Sequence, residues 1–218
     1  MHYLLNPLHY DLNDQESIPN LLSQHLTIVG ISMLISLIIA LPLGLLVARY
    51  RRIYLPVITI SGLLYTIPGL ALLAFLIPIT QLTIATIIIP LVVYTQLVLI
   101  RNTAAGVNGI DPLLLEVGHA MGMNGSQMLL RVTLPLALPV IIAGIRVATV
   151  TSIGIATLAS LVAQGGLGDL IFTGIQNQNY DQVVAGAITI ALLAIIFDLA
   201  LLGIQILLNR GRSAVSVA

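Results

Sequence analysis

Long apolar stretches dominate the hydrophobic pattern of this chain. A helix needs about 20 apolar residues to cross a bilayer, and five stretches qualify: 26–48, 53–79, 81–100, 136–163 and 183–208. The first three are uncharged, the fourth carries only Arg146, and the fifth only Asp198. Pro42, Pro68 and Pro90 fall inside spans, where neighbouring helices can satisfy the carbonyls that proline frees. The pattern predicts an all-α integral membrane protein with five transmembrane helices. Residues 1–25 precede the transmembrane domain 26–208, and a tail, 209–218, follows it. Two long connections remain, 102–135 and 164–182.

Composition agrees: 58% of residues are hydrophobic, 7% are charged, and mean hydropathy is +1.09, whereas a soluble domain carries about 25% charged residues. The absence of cysteine excludes disulfides and thiolate metal sites. The first 25 residues do not read as a signal peptide, since they lack a basic start and hold Asp11, Asp14 and Glu16. Arginines orient the spans. With five alternating spans, Arg49, Arg51, Arg52, Arg101, Arg131, Arg210 and Arg212 share one side, which the positive-inside rule makes cytoplasmic. Asp11, Asp14, Glu16, Asp169 and Asp181 fall opposite. The N-terminus is expected outside, the C-terminus in the cytoplasm.

The cytoplasmic connection 102–135 has helix punctuation. Asp111-Pro112 is a capping side chain followed by a proline suited to the first helical position. Glu116 lies near that positive helix end. Leu113, Leu114, Val117, Ala120 and Met121 follow, and Gly122 suits a left-handed stop. Asn124-Gly125-Ser126 forms a turn with a second cap, leading to Met128, Leu129 and Val132, and Leu134-Pro135 closes the second helix. Two short helices at an angle are expected, neither stable alone. They either cover the ends of their own spans or dock on a partner.

Other chemistry is sparse. There is no G-x-x-x-x-G-K-[ST] phosphate loop, so no ATP site of that kind. Gly165-Gly166-Leu167-Gly168 does not fit a dinucleotide loop and reads as a turn into a short external helix. His2, His9, His25 and His119 are scattered, so no metal site is expected. Nothing points to nucleic acid. Charges inside spans are usually paired or line a cavity, and Arg146 and Asp198 lie at similar depths from their cytoplasmic helix ends. They are expected to approach each other, within one chain or across a dimer. Pro68-Gly69 is positioned to break span two, and broken helices line translocation paths. Tyr65, Thr66 and Pro68, with Tyr94 and Gln96 of span three, are therefore candidates for that path. Small residues between Ala143 and Ser160 suggest that span four is the central, dimer-facing helix.

Glu116, Gly122 six residues later, and Val132-x-Leu134-Pro135 resemble the EAA loop of binding-protein-dependent ABC importer permeases. That pattern is E-A-A, three residues, G, nine residues, I-x-L-P. Val117 and Gly118 replace its alanines and Val132 its isoleucine, and Gly118 is expected to soften the first helix. The stretches 65–79, 101–112 and 134–175 are similar to permeases for glycine betaine, choline and carnitine. The resemblance covers roughly residues 24 to 208 and implies a MetI-like permease fold in the bacterial cytoplasmic membrane, surrounded by lipid. It implies that the loop couples to a cytoplasmic ABC ATPase dimer through Glu116, Val117, Ala120, Met121, Gly122, Met128, Leu129, Leu134 and Pro135. It further implies a second permease subunit, identical or paralogous, and an extracellular or periplasmic substrate-binding protein. The chain itself is expected to hold no cofactor and to catalyse no covalent chemistry, with ATP and Mg on the partner ATPase. The alternatives are a methionine-type amino-acid permease, a proton-coupled secondary transporter using Asp198, and a purely structural membrane subunit.

Overall fold

The structure, a computed structural model, describes Tyr3 and residues 7–213, without the side chains of Leu8 and of residues 210–213. The arginines expected at 210 and 212 therefore lie, as side chains, outside the described residues, as do His2 and the tail beyond 213. A 3-10 turn, Pro7–Tyr10, leads into α1, Ile18–Arg49. Then come α2 (Arg51–Tyr65), α3 (Gly69–Thr80) and α4 (Ala85–Asn108). Two short helices follow, α5 (Pro112–Ala120) and α6 (Gly125–Met128). A π turn, Leu129–Thr133, joins α6 to α7 (Leu134–Ile155), which tightens into a 3-10 segment, Ala156–Val162. Helices α8 (Gly168–Gln176) and α9 (Tyr180–Ser213) are the last described elements.

Among the described residues four helices are each long and apolar enough to cross a membrane: Ile18–Arg49, Ala85–Asn108, Gly125–Val162 and Tyr180–Asn209. The expected second span is not one helix. It is α2 and α3, bent by 90° at their junction. Pro68 has no N–H to continue α2, and it disfavours helical geometry at Ile67. The fourth span also differs from expectation. Leu134-Pro135 does not end a short helix, because α6, the π turn and α7 run on without a break. A proline ring clashes with the carbonyl four residues back. Here the π turn widens that part of the helix, and the Leu134 N–H bonds the Leu129 carbonyl. The chain passes Pro135 without stopping.

Within the chain the central helix is α4, rather than the span carrying Arg146. Its most extensive packing is against α1 and then α7, and it also meets α2 and α3. The α1 seam is made of small residues one turn apart, Ser32, Ser36, Ala40 and Gly44, all buried. Such a stripe lets backbones approach closely. Thr103 of α4 fills the space where a Gly44 side chain would begin, and Asn102 does the same at Gly144 of α7. Ser36 Oγ and Thr95 Oγ1, 2.7 Å apart, hydrogen-bond across the α1–α4 seam. Helix α9 packs on α7 and α8 and leaves most of its apolar surface open, as expected of a helix facing lipid.

Candidate coupling surface and translocation path

The connection 102–135 is a compact two-helix unit. The Asp111 carboxylate accepts the Leu113 N–H at 2.9 Å, capping α5, with Pro112 in its first turn. At the other end Gly122 adopts φ +74. Its N–H bonds the His119 carbonyl, and the Met123 N–H bonds that of Gly118. This double closure needs a left-handed residue, which glycine supplies without strain. Asn124 and Gln127 then form a reciprocal capping box, each side chain bonding the other's backbone N–H at 2.9 Å.

The expected docking residues divide into two groups. Glu116, Val117, Ala120, Met121 and Gly122 are exposed on α5. Val117 is 50% and Met121 71% exposed, and with Leu113 they form an i, i+4, i+8 stripe. Met128 does not join them. It is buried, its terminal methyl where a Gly118 side chain would begin. Gly118 is thus the socket that lets α6 close on α5, which accounts for glycine where the resembling pattern has alanine. Leu129 and Leu134 are half-buried and Pro135 is exposed. Leu130 is exposed on the same unit. Sequence reasoning missed it, because its outward direction depends on the π turn.

At the α2–α3 junction the chain has no helical continuity. The Tyr94 hydroxyl of α4 donates to the Ile67 carbonyl at 2.7 Å. The Tyr65 and Tyr94 rings meet edge to face, with centroids 5.9 Å apart and an interplanar angle of 87°. Thr66 bonds back to the Leu63 carbonyl, and Pro68 caps α3. Tyr65, Thr66, Pro68 and Tyr94 are therefore together. Gln96 is not with them. Two residues along a helix from Tyr94, it turns away and donates to the carbonyls of Val92 and of Ser36 on α1.

Arg146 of α7 and Asp198 of α9 meet in a bidentate pair, Nε to Oδ1 at 3.0 Å and Nη2 to Oδ2 at 2.9 Å. Gln205, two turns beyond Asp198, accepts from Arg146 Nη1 at 3.0 Å. The guanidinium fork matches the carboxylate plane, which makes such pairs strong and directional.

At the end of the bundle holding Ile18 and Gly168, the glycine turn closes on α1. Gly165 and Gly166 adopt φ +69 and +89. The Gly166 N–H donates to Gln24 Oε1 at 3.0 Å. His25 is fully buried, its Nε2 3.1 Å from the Ile153 carbonyl. Gly168 lies against the Thr157 carbonyl, leaving no room for a side chain. A polar cavity of about 370 Å³ opens beside the turn, lined by Glu16, Gln24, Gln164 and Asp169 among others. Among the described residues no three histidine, cysteine or acidic side chains come together as a metal site.

The chain is similar to known proteins. The chain is 39% identical over 178 residues to the choline transport system permease protein OpuBB of Bacillus subtilis, covering 82% of each chain. It is 43% identical over 179 residues to the glycine betaine/carnitine/choline transport system permease protein OpuCD of the same organism, covering 82% of this chain and 78% of that one. With the osmoprotectant import permease protein OsmW of Salmonella typhimurium it shares 35% identity over 210 residues, covering 94% and 98%. Among solved structures it is similar to an inward-facing form of the MetNI methionine ABC transporter, with a TM-score of 0.74 and 25% identity, covering 85% of this chain and 93% of that one. Residues 40–213 match the family described as binding-protein-dependent transport system inner membrane component. The chain belongs to that family and is the permease subunit of an ABC importer.

Proposed function

We propose that this permease carries osmoprotectants bearing a trimethylammonium group, glycine betaine, choline or carnitine, across a bacterial cytoplasmic membrane. The observation that carries this reading is the set of relatives, at 35–43% identity, whose names state choline, glycine betaine, carnitine or osmoprotectant transport. The methionine transporter is a more distant structural likeness, so an amino-acid substrate is the weaker reading. A proton cycle on Asp198 is disfavoured because both its oxygens are held by Arg146.

The N-terminus is outside and the C-terminus inside, a reading the arginine distribution supports. That orientation puts α5 and α6 in the cytoplasm. The Leu113–Val117–Met121 stripe then docks in a groove of the ATPase, with Glu116 at its rim. Two permease subunits, identical or paralogous, enclose the path between them. ATP binding on the ATPase pair favours the outward-facing state, and release of ADP and phosphate restores the inward-facing one, each ligand acting by its preference between states. The α2–α3 junction, braced by Tyr94, lines the path. ATP and Mg belong to the partner ATPase, and capture of substrate belongs to a separate binding protein.

The test is uptake of labelled glycine betaine, choline and carnitine by cells lacking their own importers. The cells express this chain with its ATPase and binding protein, as wild type and as Glu116→Lys. Uptake lost in the variant at unchanged protein level supports both coupling and substrate class. An ATPase-bound complex that moves none of the three refutes the substrate class while leaving the importer standing.

A further inference from the structure

We infer that Tyr65, braced by Tyr94 at the α2–α3 junction, is a low-affinity way-station for the quaternary ammonium group inside the membrane. The inference rests on the substrate class proposed above. A cation crossing a bilayer needs electron-rich partners. Asp198 is the one acidic side chain within the spans, and Arg146 already occupies both its oxygens. The remaining electron-rich groups are aromatic faces and free carbonyls, and the junction supplies both. The 90° bend leaves the Tyr65 and Thr66 carbonyls without a helical partner. The Tyr65–Tyr94 contact is the aromatic pair of the spans among the described residues.

The two rings have different parts. Tyr94 is 4% exposed, and its hydroxyl is committed to the Ile67 carbonyl, so it fixes the junction. Tyr65 is 44% exposed and stands perpendicular to Tyr94, so its ring remains open to a ligand. Depth fits a transit site. Tyr94 lies nine residues into α4, about 14 Å along its axis from Ala85. That is close to the middle of a hydrocarbon layer about 30 Å thick, the depth at which secondary transporters hold substrate at broken helices. A neutral ring attracts a quaternary ammonium without a counter-charge, which favours release over retention.

The test uses proteoliposomes holding the complete importer, with [14C]choline as the probe and binding protein at saturation. Position 65 carries Phe, 4-fluoro-, 3,5-difluoro- or 3,4,5-trifluorophenylalanine, introduced by amber suppression. Fluorine drains the ring face of negative potential at almost constant shape. The thermal midpoint of each solubilised complex is measured alongside, because lost ring packing lowers it and a lost cation contact does not. Tyr65→Phe is the unfluorinated reference for the series. Turnover then falls stepwise with fluorine, by about 5- to 30-fold at the trifluoro variant, at constant midpoint. Tyr65→Leu is expected to match the trifluoro variant; if it fails to assemble, the near-isosteric series still decides. Flat turnover across the series, or a midpoint that falls in step with it, overturns the inference and leaves the substrate class intact. A wild-type importer that moves no choline, glycine betaine or carnitine overturns both.

Discussion

The Arg146–Asp198 pair allows a quantitative test of how α9 is held. The charge centres are separated by about 4 Å, worth about 4 kcal/mol at an effective dielectric of about 20. The side chains are 21% and 37% exposed, so screening reduces the pairwise coupling to about 2 kcal/mol. Each single substitution costs more than that, because it strands the other charge inside a span. Asp198→Asn, which leaves the guanidinium with Gln205 alone, is expected to cost about 3 kcal/mol. The double variant with Arg146→Gln should be more stable than the sum of the singles implies, by about 2 kcal/mol. The assay is reversible unfolding in mixed micelles by titration with dodecyl sulfate, followed by circular dichroism. Additivity within about 0.5 kcal/mol would refute the pairing as an energetic contact. Two charges each satisfied by water or headgroups would give that result.

Gly168→Ala drives a side chain into the Thr157 carbonyl and is expected to cost about 3 kcal/mol or to prevent assembly. Gly125→Ala, with open space around it, should be neutral, and the protein surviving a heat step in detergent compares the two. Gly122→Ala forces a left-handed alanine at φ +74 at a cost of about 1–2 kcal/mol, read as faster proteolysis within residues 120–124. Val117→Asp puts a carboxylate on the exposed α5 stripe. It should leave the fold intact and weaken capture of the ATPase by about tenfold or more, measured as co-purification from membranes.

Much of the coupling unit was legible because its signals are local. Asp111-Pro112, Gly122 and Asn124 act within four residues of themselves, and each adopts the conformation its chemistry favours. The Arg146–Asp198 contact was also legible, because two isolated charges at similar depth have few other ways to be satisfied. What the sequence hid depends on tertiary packing. Pro68 and Pro135 look alike on paper, yet the chain bends by 90° at one and continues as a helix through the other. The difference lies in the π turn before Pro135, a register change with no residue signature. Gln96 and Tyr94 share polarity and neighbourhood but point in different directions along α4. Gly118 looked like a weak point in a helix until Met128 was seen to fill the space beside it.

The unbroken helix Gly125–Val162 has a mechanical consequence. Its 38 residues make a shaft about 57 Å long, reaching from the Asn124 turn to the opposite rim of the bundle. Its stiff α-helical length is collared by two non-α stretches, the π turn at 129–133 and the 3-10 segment at 156–162. A tilt of about 10° of the α-helical stretch Leu134–Ile155, 22 residues and about 33 Å long, moves its far end by about 6 Å. Any tilt of this helix is then carried by the length of one rod rather than relayed from contact to contact, and whatever play exists is confined to its two collars.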